Sequence, residues 1–390
     1  MHRLTLSAAL PLALIACTSS DEAIANGEAE AVTAISPVDR LPFVTTEVAD
    51  FDAPWAMTFL PDGRLLVTEK KGEMKLATIT GDTASMVTVS GTPEVLAKGQ
   101  GGLGDVVLSP DFANDGYIYL SWAEAGDNDT SGAAVGCAKL NLAADGSAKL
   151  EGLKVIWRQE PKVSGNGHYG HRIAFGPDGM MYISTGDRQK FDPAQDLDQT
   201  LGKVVRLTAT GGIPSDNPFY DQGRIRAQVW SSGHRNPLGL AFDSEGRLWN
   251  IEMGPRGGDE LNLVTRSANY GYPKVSNGDH YDGKPIPDHS PDDGFVAPKV
   301  WWTPAISPGS LMIYSGNMFP AWKGSAFIGA LGAQSLVRVK LDGENAEKAD
   351  IWPMDARIRE VEQGPDGAIW VLEDGARGSQ GRLLRLTPTK

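Results

Sequence analysis

One phrase recurs along the chain and limits its fold more than any other feature: an apolar run, then Pro-Asp-Gly or a near variant, then a second run carrying aromatics. It reads PWAMTFLPDGRLLVTEK from residue 54, GLGDVVLSPDFANDGYIYLSW from 102, HRIAFGPDGMMYISTG from 171, NPLGLAFDSEGRLWNIE from 236 and IREVEQGPDGAIWVLED from 358. A weaker copy, SLMIYSGNMFPAWKGSAFIGALGAQSLVRVKL, starts at 310. Asp-Gly or Glu-Gly between alternating apolar runs signals a tight β-hairpin, and further runs such as GKVVRLT and GRLLRLTP extend two of the hairpins. The six units of roughly 58 residues predict an all-β chain, a six-bladed β-propeller of four-stranded antiparallel blades. LPFVTTEVAD, residues 41–50, is expected as an outer strand that pairs with the last blade and closes the ring. Two separate β-sandwiches would need a linker in mid-chain, and none is evident. The 46 glycines and 25 prolines, without a long amphipathic helical pattern, agree with many turns.

The N-terminus reads differently. MHRLTLSAALPLALIAC has a basic head and an apolar run too short to span a bilayer. Its end, Leu14-Ile15-Ala16-Cys17, resembles a bacterial lipobox, so residues 1–16 are expected to be a lipoprotein signal peptide and 17–40 a flexible acidic linker behind a lipidated Cys17. An ordinary signal peptide that happens to contain a cysteine is the alternative. Thr18 rather than Asp after the cysteine points to a periplasmic protein anchored in the outer membrane. The remaining 41–390 form the propeller domain. Cys137 is then the one cysteine left in the domain, expected as a buried inert thiol in a strand. A formal charge of −13, from 49 acids against 36 Lys plus Arg, argues against nucleic acid as a partner and against any membrane contact beyond the anchor.

Innermost strands of a propeller end at one mouth of its channel, where loop residues from distant positions meet. VSGNGHYGHRIAF puts His168 there, and imidazole titrates near working pH, which suits a general base; a histidine that merely caps a turn is the plainer reading. Arg357 and Arg359, two apart on an expected strand, point to one face and would repel unless an anion sat between them or Asp355 and Glu360 paired with them.

In combination, GQGGLGDVVLSPDF, GHYGHRI, GHRNPLGLAF, GPRGGDELN and NYGYP resemble the soluble quinoprotein aldose sugar dehydrogenases, the glucose/sorbosone dehydrogenase family, over nearly the whole domain. These are six-bladed propellers that use pyrroloquinoline quinone (PQQ) and calcium, and the resemblance implies oxidation of aldoses to lactones by hydride transfer to the quinone. It makes His168 the base that takes the proton of the anomeric hydroxyl, with Gln100 beside the reacting hydroxyl and Asp187 orienting the imidazole. Arg235 and Asn236 would contact the quinone, where a guanidinium stabilises developing negative charge. Arg357 and Arg359 would bind the cofactor's carboxylates, and Trp302 would stack on or wall the quinone. The carbonyls of Gly254 and Pro255 match the calcium at the quinone, and Glu260 with the carbonyl of Tyr270 matches a second calcium. An unidentified cytochrome or membrane quinone would accept the electrons.

Departures from the family pattern are also visible. Leu238 stands for a common glutamine, Gly332 for a lysine in some relatives, Met253 for a polar residue and Gly167 for Asp or Asn. Arg338 or Lys340 is expected to compensate for the missing lysine. His171 replaces a small residue and is expected as a neighbour of the site rather than a ligand. Two rivals remain: a calcium-dependent lactonase-type propeller hydrolase, and a non-catalytic propeller binding sugar at the cell surface. The loop NGDHYDGKPIPDHSPDDGF has no repeat partner; its His280, His289 and aspartates are expected to be solvated.

Overall fold

The structure, a computed structural model, describes residues 41–389; the expected signal peptide, Cys17 and acidic linker lie outside the described residues. Every copy of the repeated phrase forms an antiparallel hairpin. Pro54–Phe59 pairs with Leu65–Glu69, Leu103–Leu108 with Tyr117–Ala125, and Gly170–Phe175 with Met181–Thr185. Pro237–Phe242 pairs with Leu248–Glu252, Pro308–Ile313 with Ala326–Ala330, and Ile358–Gln363 with Ile369–Glu373. The turns show why Asp-Gly recurs. Asp62 Oδ1 accepts the Arg64 amide and Asp178 Oδ1 that of Met180, while Gly63 and Gly179 take φ of 86° and 74°, a region open to glycine at no steric cost. In the second hairpin the longer turn holds one helical turn, Phe112–Asp115, ended by Gly116 in the left-handed region.

Each hairpin grows outward by further strands into a four-stranded antiparallel stack. Phe43–Asp50 pairs with Arg382–Pro388, so the first strand of the domain completes the last sheet, as 41–50 predicts. The stacks are not all separate. Val89–Ser90 pairs in parallel with Ala148–Lys149, joining the first two into one nine-stranded sheet, because the strands Thr130–Leu142 and Ala148–Arg158 are long enough to reach their neighbour.

The leading strands of the six hairpins lie side by side in chain order, and Ile358–Gln363 returns to Pro54–Phe59. Apolar side chains fill the spaces between neighbouring sheets rather than one central core. Trp55, Leu66, Leu120 and Trp122 lie between the first and second stacks; Phe51, Met57, Trp370 and Leu372 between the last and the first. Cys137 is half-buried at another such seam, where burial raises its thiol pKa.

Each of the six leading strands breaks register just after it begins: at Pro54/Ala56, Leu103/Val106, Gly170/Ile173, Pro237/Gly239, Pro308/Ser310 and Ile358/Glu360. A bulge re-aims the side chain it carries. Here the bulges carry Trp55, His171, Arg172, Leu238 and Arg359, all at one end of the ring.

Arg172 ties that end together. Its Nε donates to the Leu238 carbonyl at 2.7 Å, Nη2 to the Gly309 carbonyl at 2.6 Å, and Nη1 to Asp105 at 3.2 Å and to Glu360. Its guanidinium also lies 4.1 Å from the centre of the Trp55 ring. One buried side chain thus contacts the leading strands of the five other hairpins. Arg172→Met would leave Asp105 and Glu360 buried without their cation, and removing one partner of such a pair typically costs about 3–5 kcal/mol. Chemical denaturation is expected to show that loss, and a variant as stable as the parent would contradict it.

Candidate active site

The loops that enter the leading strands at the bulged end carry Gln100, His168, Arg235 and Arg357. His168 stands at φ 50°, and Arg188, Gln189 and Phe191 of the facing loop at 55°, 59° and 64°, conformations that non-glycine residues hold only when their surroundings impose them. Two buried side chains impose them. Asp187, fully buried, accepts the Gln189 and Phe191 amides on its two oxygens and faces His168 Nδ1 at 2.6 Å. Arg188 donates to the carbonyls of Gly167 at 2.8 Å, Ser131 at 2.6 Å and Gly165, and stacks 3.9 Å from the Tyr169 ring centre. It clamps the His168 loop against the neighbouring sheet.

The carboxylate of Asp187 keeps the imidazole proton on Nδ1 and leaves the Nε2 lone pair free; Nε2 has no hydrogen-bond partner among the described residues. Burial lowers the His168 pKa, an effect that Asp187 opposes and the charges of Arg235 and Arg188 reinforce, so the ring is neutral at neutral pH. Gln100 is close, but its Oε1 accepts the His168 backbone amide at 2.7 Å, which positions the loop rather than the ring.

Two cavities open beside this base. One of about 250 Å³ is lined by His168, Arg235, Pro255, Tyr272 and Tyr281. The other, about 300 Å³, holds Trp55, Lys70, Gln100, His171, Leu238, Arg357 and Arg359 in its walls. Gln100 and Met253, which line the second, are hydrogen-bonded to His168 and Arg235, which line the first, so these pairs form the partition.

The second cavity is strongly positive in an acidic protein. Lys70, Arg357, Arg359 and Arg377 face one carboxylate, Asp374. Arg357 Nε donates to Asp374 at 2.7 Å and Arg359 lies 3.7 Å from the same oxygen, so the alternative pairing with Asp355 and Glu360 does not form. Burial and then the charges of Arg172 and Arg357 lower the Arg359 pKa to about 10 despite Asp374, and burial with Arg359 lowers that of Lys70. Arg359 Nε is buried without a partner among the described residues, as are Arg235 Nε and Asn236 Nδ2. Unsatisfied buried donors beside excess positive charge call for an oxygen-rich anion.

Below that cavity His171 is fully buried, its Nδ1 2.8 Å from Ser121 Oγ and its ring stacked on Trp55 with centroids 4.9 Å apart. Gly104 makes this possible, since a Cβ there would stand 2.0 Å from the imidazole. His171 is therefore floor, not ligand. Leu238 and Met253 continue the apolar floor. Gly332 has no room for a side chain, because its Cβ would meet Ser307 Oγ at 2.6 Å. Neither expected substitute for the missing lysine lines the cavity, and Arg338 is bound to Asp350 and Ser325; Lys70 and Arg377 supply the charge instead.

The oxygen-rich region lies beyond Arg235. Its Nη1 donates to the carbonyls of Met253 at 2.9 Å and Gly254 at 2.5 Å, so the main chain at Gly254 already faces a cation. Glu260 stands opposite Glu252 on the adjacent strand, and its pKa is raised well above the ordinary value, by burial first and then by the negative charge of Glu252. Asn250 Oδ1 and Asn262 Oδ1 are buried there without partners among the described residues. Hard oxygens of this kind fit calcium, though among the described residues no group of three or more His, Cys, Asp or Glu could hold a metal. Tyr270 stacks on His234 with centroids 4.7 Å apart and donates to the Leu263 carbonyl. Trp302 lies elsewhere than expected: it packs between two sheets with Trp249 and Ile328, and it lines neither cavity.

The chain matches the glucose/sorbosone dehydrogenase family over residues 51–385. It is 38% identical to Aldose sugar dehydrogenase YliI of Escherichia coli over 86% of this chain and 90% of that protein. The apo crystal structure of the soluble aldose sugar dehydrogenase of E. coli superposes with a TM-score of 0.83 at 39% identity, covering 89% of this chain and all of that one. A PQQ-bound aldose sugar dehydrogenase from Streptomyces coelicolor gives 0.73 at 27% identity, covering 90% and 99%.

The buried histidine below the cavity makes stability depend on pH. The His171 pKa is lowered from 6.5 to about 3, chiefly by burial, so the unfolded chain binds this proton more readily than the folded one. Its contribution is complete above about pH 6.5 and is lost progressively as the pH falls towards 3. His171→Phe keeps the stack on Trp55 and removes the titration, so its melting temperature should fall less than the parent's across that window. Parallel curves would refute this.

Proposed function

The chain belongs to the glucose/sorbosone dehydrogenase family, and on that premise we propose that it is a six-bladed propeller dehydrogenase that oxidises aldoses to lactones with PQQ and calcium. The ring of six leading strands supports the blade count. The observation that carries the function is the positive, apolar-floored cavity with its unpaired Arg359 donor, set against a neutral, Asp187-oriented imidazole.

Arg357, Arg359, Lys70 and Asn236 would hold the carboxylates and ring oxygens of PQQ over the floor of Trp55 and Leu238. The carbonyls of Gly254 and Pro255 would hold one calcium, and Glu260 with the Tyr270 carbonyl a second. When bound, PQQ supplies a two-electron acceptor and calcium polarises it. The protein does the rest. His168 Nε2 takes the proton from the anomeric hydroxyl of an aldose in the cavity walled by Tyr272 and Tyr281. Asp187 holds the resulting imidazolium in place, and Arg235 sets a fixed positive charge at the partition between sugar and cofactor. We further propose that the protein is a periplasmic lipoprotein held by Cys17 and that a cytochrome or membrane quinone takes its electrons.

The test is reconstitution with PQQ and calcium, aldoses and an artificial electron-acceptor dye. Dye reduction is expected, and His168→Gln should lower it by about 10²–10⁴-fold, the usual worth of a general base. Because the His168 pKa is lowered, kcat/KM should stay flat through the ordinary imidazole range and fall only at lower pH, where the ring gains a proton. Lactone hydrolysis without quinone would replace this reading with that of a hydrolase. Independently of turnover, Lys70→Met and Arg359→Met should each weaken PQQ binding about tenfold, read by quenching of tryptophan fluorescence. Unchanged affinity in both would remove the cavity from the assignment.

A further inference from the structure

The loop from 276 to 298, which has no counterpart in the repeats, has two sides. One turns His280, Tyr281 and Asp282 towards the cavity of His168. The other forms a separate groove of about 760 Å³ with the strand Val300–Trp302 and with Arg256. We propose that this groove is a carbohydrate-binding site, distinct from the reaction cavity, that takes the units of a neutral oligosaccharide.

The platform is Trp301. On its short edge strand Val300 and Trp302 turn inward, so alternation turns Trp301 out, and it is 44% exposed beside the groove. A partly exposed indole lining a concave surface suits the C–H groups of a pyranose, and Phe295 adds a second aromatic side chain to the lining. The polar lining suits hydroxyls rather than charge. Asp279 and Asp288 offer acceptors, Asn277 and Ser290 both donors and acceptors, and Arg256 is the single cation. Two carboxylates against one guanidinium disfavour an anion, and no metal-binding group exists there among the described residues.

His289 is the observation that asks for a ligand. Its side chain is only 5% exposed and lines the groove, yet neither ring nitrogen has a hydrogen bond among the described residues. Nδ1 lies 3.3 Å from Asp293 Oδ2 but out of line for a bond, and that carboxylate is already engaged by the Ser290 and Phe295 amides. A neutral imidazole presents one donor and one acceptor on opposite sides of its ring, and a small rotation of the covered ring into the groove would let a sugar hydroxyl satisfy one of them.

Isothermal titration of the full chain, without added quinone, against cello-, malto- and chitotetraose tests the proposal. At least one should bind at up to about 10 mM, with Trp301→Ala weakening it about tenfold and His289→Ala several-fold. Trp301→Phe should retain most of the affinity, and it guards against a folding defect in the alanine variant. His168→Gln should leave binding unchanged. The proposal is overturned if none of the three binds, if Trp301→Ala and His289→Ala bind like the parent, or if His168→Gln abolishes binding and so moves the sugar to the reaction cavity.

Discussion

A ring of sheets has no natural centre: each sheet buries its faces against its neighbours, and the strands lining the axis are left with polar backbone and bulged side chains. In this protein the guanidinium of Arg172 fills that centre. Its fixed fork reaches two carbonyls and two carboxylates on four other leading strands and lies under the indole of a fifth. Lysine, a point charge on a flexible stem, could not make those bonds at once. The same interaction sets the electrostatics above it. Asp105 and Glu360 are committed to Arg172, so the cations higher in the channel are left with Asp374 alone. The framework and the positive charge of the mouth therefore share one cause.

The site itself is held by strain and by buried polar groups rather than by apolar packing. His168 sits in an unfavourable backbone region at the junction of two loops, one bound by the Asp187 carboxylate and the other by Arg188. Asp187 thus does two things with one carboxylate: it shapes a loop and fixes a tautomer. The bulges add a second kind of preorganisation. Because each leading strand slips register at the same level, side chains that would alternate between sheet faces turn together towards the mouth.

Much of this is legible along the chain. The hairpins follow from Asp-Gly turns that satisfy their own backbone within a few residues, and the pairing of Phe43–Asp50 with Arg382–Pro388 follows from needing one more strand at the end. The His168–Asp187 pair, the two arginines at 357 and 359, and Arg235 all reach the mouth, as their motifs suggest. Lys70, Arg377 and Arg188 escaped notice because nothing near them in sequence marks them; each acts on residues of a different segment. The tryptophan pair at 301 and 302 shows a sharper limit. On a three-residue strand either parity is possible, and the partner strand Asp259–Val264 decides that 302 goes to the core and 301 to the groove.

What the sequence alone determined is whatever closes locally: the six hairpins, the all-β class and the residue types that could act as base and cation. The tertiary structure decided which of these meet, since that depends on distances between segments far apart in sequence, 188 residues in the case of Arg172 and Glu360. It also decided their protonation, because burial and the field of neighbouring charges exist only once the ring has closed. His168 and His171, three residues apart and alike in type, end as a neutral imidazole oriented at a cavity and a stacked ring in the floor for that reason alone.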